Sequence, residues 1–404
     1  MAMTDGKRTT LGVGMVGHAF MGRAHSHAWR SVSAFFDLPR VPAMVALAGR
    51  SRERAVAAAD RLGWRSAETD WRELIRRDDV DIIDICTPGD THAEIAIAAL
   101  EAGKHVLCEK PLANTVEEAV AMAEAAERAR TDGVRSMVGF SYRRVPALTL
   151  ARKLVADGRL GTIRHVRAQY LQDWIVDPEF PLVWRLDKDK AGSGALGDIG
   201  AHIIDAAQFV TGEQILGVSA LMGTFVEERP LADASAGLGA APAGDRGRGR
   251  VTVDDAALFI GRMSGGALAS FEATRFANGR RNALRLEING SAGSLAFDLE
   301  SMNELYFYDG TEDSETAGFR RILVTEPVHP YAGAWWPTGH LLGYEHTFTH
   351  QAKDFLEAIG TETDPSPSFA DGLQVQEVLD AVTRSAGRNG TWTAVGDSRA
   401  PAEA

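Results

Sequence analysis

Short apolar runs alternating with longer helical patterns fill the first third of the chain, and that alternation leaves few folds open. Runs at residues 11–16, 43–48, 82–86, 105–108 and 136–140 read as near-continuous apolar strands. Helical patterns run from the turn after residue 16 to about residue 34, then over 52–62, 91–102 and 115–129. A strand that is apolar throughout has both faces buried, and strands separated by helices pair in parallel. The expectation is an α/β unit, a parallel sheet covered on both faces, with right-handed crossovers.

The pattern changes near residue 142. A helix over 147–156 leads to an alternating strand over 163–172, and a second helix follows Gly197 to about residue 210. Strand patterns at 217–226, 253–263, 266–274, 283–288 and 294–297 are joined by turn dipeptides such as Gly265-Gly266 and Asn289-Gly290. Serial strands with turn punctuation predict a large, mostly antiparallel open sheet in an α+β domain. The chain returns to helix at 346–359 and 370–386. A length of 404 residues exceeds what one core supports, roughly 250–300. Two domains are therefore expected, 1–142 and 143–404. The Ala-, Gly- and Pro-rich stretch 229–250 reads as a flexible insertion, and 396–404 as a loose tail.

Charge excludes some functions. Lys and Arg number 43 against 55 Asp and Glu, a net charge of −12, which argues against nucleic acid and anionic membranes as partners. No apolar run approaches the roughly 18–20 residues of a membrane span. The two cysteines, Cys86 and Cys108, sit inside strand patterns, which excludes a disulfide framework and fits a reducing cytoplasm.

Two glycine registers overlap after the first strand. Gly12-Val-Gly14-Met-Val-Gly17 matches G-x-G-x-x-G as a string but lies within the strand. Gly17-His18-Ala19-Phe20-Met21-Gly22 follows the strand and opens a helix, the context that a Rossmann dinucleotide fingerprint demands. The helix start would offer free N–H groups to a pyrophosphate. The plain alternative is a tight strand–helix turn. NAD sites usually carry an acidic residue at the end of the second strand. Here Arg50, Ser51 and Arg52 stand there instead, and they favour NADP over NAD as cofactor. The alternative for these arginines is a solvated helix start.

Cys86-Thr87-Pro88-Gly89-Asp90-Thr91-His92 and Cys108-Glu109-Lys110-Pro111 follow the next two strands, where open α/β sheets bind ligands. A lysine before proline is held in an extended or turn geometry, suited to a fixed cation. Asp198 and His202, four apart, share one face of a helix. They suit acid–base work; equally, they could be an N-cap aspartate and a packed histidine. His25 and His27, two apart, do not face together, so no metal is expected there. Tyr142, Arg143, Gln172, Trp174, Trp184, Arg185 and Arg275 are further pocket candidates by their polar groups and aromatic faces, though the tryptophans could be core. Tyr344 and His346 begin a helix that would approach the same site.

The Gly17 to Gly22 turn, Thr87-Pro88 with His92, Glu109-Lys110-Pro111, and Asp198 with His202 together resemble the Gfo/Idh/MocA oxidoreductase family, over nearly the whole chain. Within that family, segments such as Tyr170-Leu-Gln-Asp-Trp174 and Glu272-Ala-Thr-Arg275 are similar to levoglucosan dehydrogenase-type sugar dehydrogenases. The resemblance implies an NAD(P)-dependent dehydrogenase acting on a secondary hydroxyl of a sugar, anhydrosugar, glycoside or cyclitol. His202 would take the proton, Lys110 would stabilise the oxygen, and Asp198 would orient substrate or base. Asp198 and His202 would also touch the substrate. Gly17, Ala19, Phe20, Met21, Gly22, Thr87, Pro88, His92, Glu109 and Lys110 would meet the cofactor. It also implies a homodimer or homotetramer formed through the open sheet. Two other functions stay open: redox-assisted glycoside cleavage or epimerisation with retained cofactor, and a non-catalytic cofactor-sensing regulator.

Overall fold

The computed structural model describes residues 9–231 and 247–397. These fall into two compact units. One holds the described residues of Met1–Ala113, Glu117–Ser141 and Gly343–Leu373; the other holds those of Asn114–Val116, Tyr142–Leu342 and Gln374–Ala404.

The first unit contains β1 (Thr9–Val16), α1 (Phe20–Phe35), β2 (Arg40–Ala48), α2 (Arg52–Leu62), β3 (Ser66–Glu68), α3 (Trp71–Ile75), β4 (Ile82–Ile85), α4 (His92–Glu101), β5 (His105–Cys108), most of α5 (Val116–Thr131) and β6 (Ser136–Val138). All six strands are parallel in the order β3-β2-β1-β4-β5-β6. This is the Rossmann order, and its direction of winding reverses between β1 and β4. The crevice therefore opens where Gly17 follows β1 and Thr87 follows β4. Met15, Leu47, Ile82 and Leu107 pack with Trp29 and Val32 of α1 in one core. β3 was absent from the sequence reading because it is three half-buried residues without an apolar run.

The second unit holds α6 (Pro146–Ala156), β7 (Ile163–Leu171), α7 (Lys188–Ala191), α8 (Ala201–Thr211), β8 (Ile215–Gly223), β9 (Glu228–Pro230), β10 (Arg248–Arg250), β11 (Ala256–Met263), β12 (Leu268–Thr274), β13 (Ala283–Gly290), β14 (Gly293–Asp298), β15 (Glu304–Asp309), β16 (Arg320–Leu323) and β17 (Thr393–Ala394). Nine strands form one sheet, β16-β15-β14-β13-β7-β12-β11-β8-β17. Every neighbouring pair is antiparallel except β7 with β12. α6 and α8 pack on the sheet and on each other.

Two expectations need correction. The helix expected at 346–359 is α9 (Tyr344–Thr361), and it belongs to the first unit. Its Phe348, Phe355, Leu356 and Ile359 join the core around Trp29 and Val32. Periodicity marks such a stripe as buried but names no partner. The last long helix is α10 (Phe369–Ala386). The stretch 229–250 is not loose at its ends: β9 and β10 pair antiparallel. Arg229 is wholly buried, donating to the carbonyls of Ile175 (2.6 Å) and Asp177 (2.8 Å). Residues 232–246, and 398–404 of the expected tail, lie outside the described residues.

At the head of β5, His105 Nδ1 accepts the Arg135 backbone N–H at 2.9 Å, which requires an unprotonated nitrogen. Burial pushes this ring down to about 4, Arg135 and Arg40 adding and Asp81 opposing. The unfolded ring binds its proton near pH 6.5, so between about 4 and 6.5 the unfolded chain holds more protons. Stability should therefore be lost as pH is lowered from about 6.5 to about 4, by about 3 kcal/mol from this ring. Urea midpoints measured at several pH values should fall less steeply for His105→Gln than for the parent protein; equal slopes would refute the assignment.

Candidate active site

The crevice of the first unit is shaped by two glycines. Gly17 has φ 97°, and a Cβ there would lie 2.8 Å from the Cys86 carbonyl oxygen. At Gly22 a Cβ would lie 2.4 Å from the Gly17 carbonyl oxygen, so the first turn of α1 sits tight on the loop. Ala19 precedes α1 in extended conformation and gives no side-chain cap. The N–H groups of the first turn and the positive end of the helix dipole are thus left for a ligand. This cradle fits a dinucleotide pyrophosphate. Ala19 and Phe20 are exposed and Met21 half-buried at its rim. Arg50, Ser51 and Arg52 are exposed past β2, and the Ser51 hydroxyl caps α2 through the Arg54 N–H.

Two expected cofactor contacts point elsewhere. His92 is buried, its Nδ1 3.0 Å from the Pro111 carbonyl oxygen and its Nε2 2.9 Å from that of Thr87. It braces two loops together instead of flanking a nicotinamide. Glu109 is buried as well: Oε1 lies 2.9 Å from His25 Nε2, and Oε2 accepts the Lys110 backbone N–H at 3.1 Å. Thr87, Pro88 and Lys110 remain half-buried at the crevice.

In the second unit, Asp198 lies in a π-helical turn, Leu196–Gly200, that runs into α8. Such turns insert one residue per turn and recur at functional sites. The capping carboxylate is Asp254, which accepts the N–H groups of Gly194 (2.7 Å) and Leu196 (2.8 Å). Asp198 is thereby released from the capping role. Across residues 194–207, every residue is buried except Asp198 and His202.

Behind Asp198 stands Arg275, fully buried, its Nη1 3.7 Å from Asp198 Oδ2 and its Nη2 donating to the Asp254 carbonyl at 3.1 Å. Arg275 holds the aspartate from within, so its expected place against substrate is corrected to one against Asp198. Its Nε and Nη1 find no hydrogen-bond acceptor among the described residues. Arg185 lies over the Trp184 ring at 4.4 Å. Burial pushes the Arg185 guanidinium below its ordinary value, Asp198 opposing and Arg275 adding.

The His202 ring lies 4.6 Å from the Tyr142 ring and 5.7 Å from the Tyr170 ring, measured between centroids. From Tyr142 a chain of hydrogen bonds runs to Trp174. The Tyr142 and Tyr170 hydroxyls are 2.8 Å apart, and Tyr170 donates to Asn282 Oδ1 at 2.7 Å. Gln172 Nε2 donates to the same oxygen at 2.7 Å, and Trp174 Nε1 donates to Gln172 Oε1 at 3.0 Å. The half-buried Trp174 also packs edge-on against Phe180. The sequence reading missed Tyr170, Asn282 and Asp254. Period-2 counting back from Gln172 reaches Tyr170 on the same face; nothing local marks the other two. Arg143 turns to Asp205. Its Nη2 lies 2.6 Å from Asp205 Oδ1 and its Nε 3.0 Å from both carboxylate oxygens, a buried ion pair. In the first unit, Tyr344 stacks on Phe20, and His346 Nδ1 accepts the Gly343 N–H at 2.9 Å.

No described helix is long and apolar enough to cross a membrane. Residues 11–140 match the oxidoreductase family with an NAD-binding Rossmann fold, and residues 148–296 match the GFO/IDH/MocA C-terminal domain. The chain is 44% identical to levoglucosan dehydrogenase of Pseudarthrobacter phenanthrenivorans over 95% of its length and 98% of that protein. A crystal structure of an oxidoreductase domain protein from Kribbella flavida superposes with a TM-score of 0.91 at 66% identity, covering 96% of this chain and 99% of that one. Levoglucosan dehydrogenase in complex with NADH and levoglucosan superposes with a TM-score of 0.90 at 42% identity, covering 96% and 100%. Likeness of this extent, reaching through both units, makes the chain a member of the Gfo/Idh/MocA family, an NAD-dependent oxidoreductase acting on a CH–OH group.

Proposed function

We propose that the CH–OH group is a secondary hydroxyl of a sugar, anhydrosugar, glycoside or cyclitol, with an anhydrosugar of the levoglucosan type as the first candidate. The observation that carries this reading is the pair Asp198 and His202, the two open positions in an otherwise buried run, set beside Tyr142. The identity to levoglucosan dehydrogenase supports the substrate class.

His202 accepts the hydroxyl proton at a ring nitrogen, the natural acceptor near neutral pH. Lys110 donates an Nζ hydrogen bond to the same oxygen and stabilises its developing charge. Asp198, held by Arg275, orients the substrate hydroxyls or the base. Gly17, Gly22 and the open first turn of α1 hold the pyrophosphate. The bound nicotinamide supplies a hydride acceptor. Trp184, Arg185 and Trp174 give the ring a mixed aromatic and polar wall.

Arg50 and Ser51, with no carboxylate between residues 48 and 52, support a preference for NADP(H) over NAD(H). The free thiols of Cys86 and Cys108, both buried, support a reducing cytoplasmic setting. Leu221, Leu258, Ile260 and Leu268 are exposed on the large sheet and support assembly of two or four copies through that face. Sedimentation as a monomer would remove that part of the reading.

A panel of sugars, anhydrosugars and cyclitols, assayed with each cofactor, tests the function. One reduced nicotinamide should appear per sugar consumed, and Arg50→Ala should weaken NADP binding while leaving NAD binding nearly unchanged. Turnover with no net redox change would overturn the simple dehydrogenase. Tighter binding of NAD than NADP by the parent protein would overturn the role of Arg50.

A further inference from the structure

Deep in the first unit, beneath the loop that carries Lys110, lies a buried charge cluster that the chemistry above leaves without a role. His25 reaches from α1 toward the ends of β4 and β5. Its Nδ1 lies 2.9 and 3.0 Å from the two Asp84 carboxylate oxygens, and its Nε2 lies 2.9 Å from Glu109 Oε1. All three side chains are buried. Trp29 Nε1–H donates to Asp84 Oδ2 at 2.7 Å, and the Cys86 thiol lies 3.6 Å from Asp84 Oδ1. From α9 the Phe348 ring closes the cluster, 5.4 Å from the imidazole between centroids.

A neutral imidazole has one N–H and one lone pair. With a carboxylate at each nitrogen, a neutral ring would aim its lone pair at an anionic oxygen. Two ionised carboxylates are both met by an N–H only when both ring nitrogens carry protons. Burial alone pushes the ring down, but the Asp84 carboxylate, with Cys86 beside it, outweighs burial and holds His25 well above its ordinary value.

We infer that His25 is a buried imidazolium that positions Lys110, gripping one oxygen of Glu109 while the other oxygen holds the Lys110 backbone N–H. It is a positioning residue, and this role rests on the reading of Lys110 as the group that stabilises the substrate oxygen. A lysine side chain is long and has many rotamers, so its reach is only as well defined as its backbone. Here that backbone is held on two sides. Glu109 takes the N–H of Lys110, and His92 braces the carbonyl of Pro111. Without a cation between them, Asp84 and Glu109 would be two carboxylates repelling each other in a dry core, and Glu109 would be pushed from its grip on the Lys110 N–H.

The test combines spectroscopy with kinetics in the full-length protein. With nitrogen-labelled histidine, NMR at neutral pH should show one ring with both nitrogens protonated, and that signal should vanish in His25→Gln. In Glu109→Gln the amide can donate to Nε2, and the ring should become a neutral Nδ1–H tautomer. His25→Gln should lower kcat about 10- to 100-fold, as misplacement of a reacting group by about 1 Å does, while NAD binding by titration changes little. Glu109→Gln, which keeps an acceptor for the Lys110 N–H, should lose less. The double variant His25→Gln/Lys110→Ala should be no slower than Lys110→Ala, since His25 acts through Lys110. A neutral His25 in the parent protein would overturn the inference. So would an additive loss in the double variant. Zinc uptake would too, because His25, Asp84 and Cys86 place possible ligand atoms within 4.8 Å of one another. A normal rate in Lys110→Ala would instead sink the proposed chemistry and leave the charged ring standing. If His25→Gln fails to fold, the tautomer change in Glu109→Gln decides the matter alone.

Discussion

His202→Asn should lower kcat by about 10²- to 10⁴-fold, the contribution of a positioned general base, while NAD binding measured by fluorescence titration stays within a few-fold of the parent. Asparagine is polar and close in size, so the packing against Tyr142 and Tyr170 survives with small adjustment. It cannot take a proton from a hydroxyl near neutral pH. The loss should fall on kcat and kcat/KM together, since the proton moves in the transition state. Lys110→Met should produce a loss of similar order through the missing Nζ–H. Near-parent turnover in the asparagine variant would remove His202 from the chemistry and leave Asp198 to be tried as the proton acceptor.

Arg143→Ala should act on stability. Asp205 is almost fully buried and takes three contacts of 2.6–3.0 Å from this one guanidinium, which also lies over the Phe209 ring at 5.2 Å. Removing the arginine breaks this buried ion pair, a cost of about 3–5 kcal/mol. Thermal and denaturant melts should show a large loss in the unit that contains α8. Arg143→Met combined with Asp205→Leu should recover much of it, because a well-packed apolar pair avoids burying charge. The sequence alone suggested a substrate contact for Arg143, and that reading predicts a raised sugar KM with unchanged melting. A variant that melts normally but binds sugar poorly would restore it.

Much of the molecule was legible in the chain. Near-continuous apolar runs between helical patterns marked β1, β2, β4, β5 and β6, since a strand buried on both faces tolerates few polar residues. The glycine register starting at Gly17 could be chosen over the one starting at Gly12, because only the former leaves a strand and opens a helix. Alternation and turn dipeptides announced the open sheet. Short or half-exposed strands such as β3 and β16 carry no such pattern and went unread.

Within the site, the spacing of Asp198 and His202 pointed to a common helix face but left open whether Asp198 was a cap. Asp254, distant in sequence, settled that question by taking the capping N–H groups itself. The same holds for each reassigned residue. Glu109 turns to His25, His92 to two carbonyls, Arg143 to Asp205 and Arg275 to Asp198. All are polar residues next to a motif, and sequence cannot tell a polar side chain aimed at a ligand from one aimed at another buried group. Local periodicity and turn chemistry are short-range, so the sequence by itself determined the strands, the helices and the shortlist of reactive groups. The partner of each charge is a long-range contact, and burial makes an unpaired one costly. Only the tertiary structure decided which charges hold the fold together and which are left open at its surface.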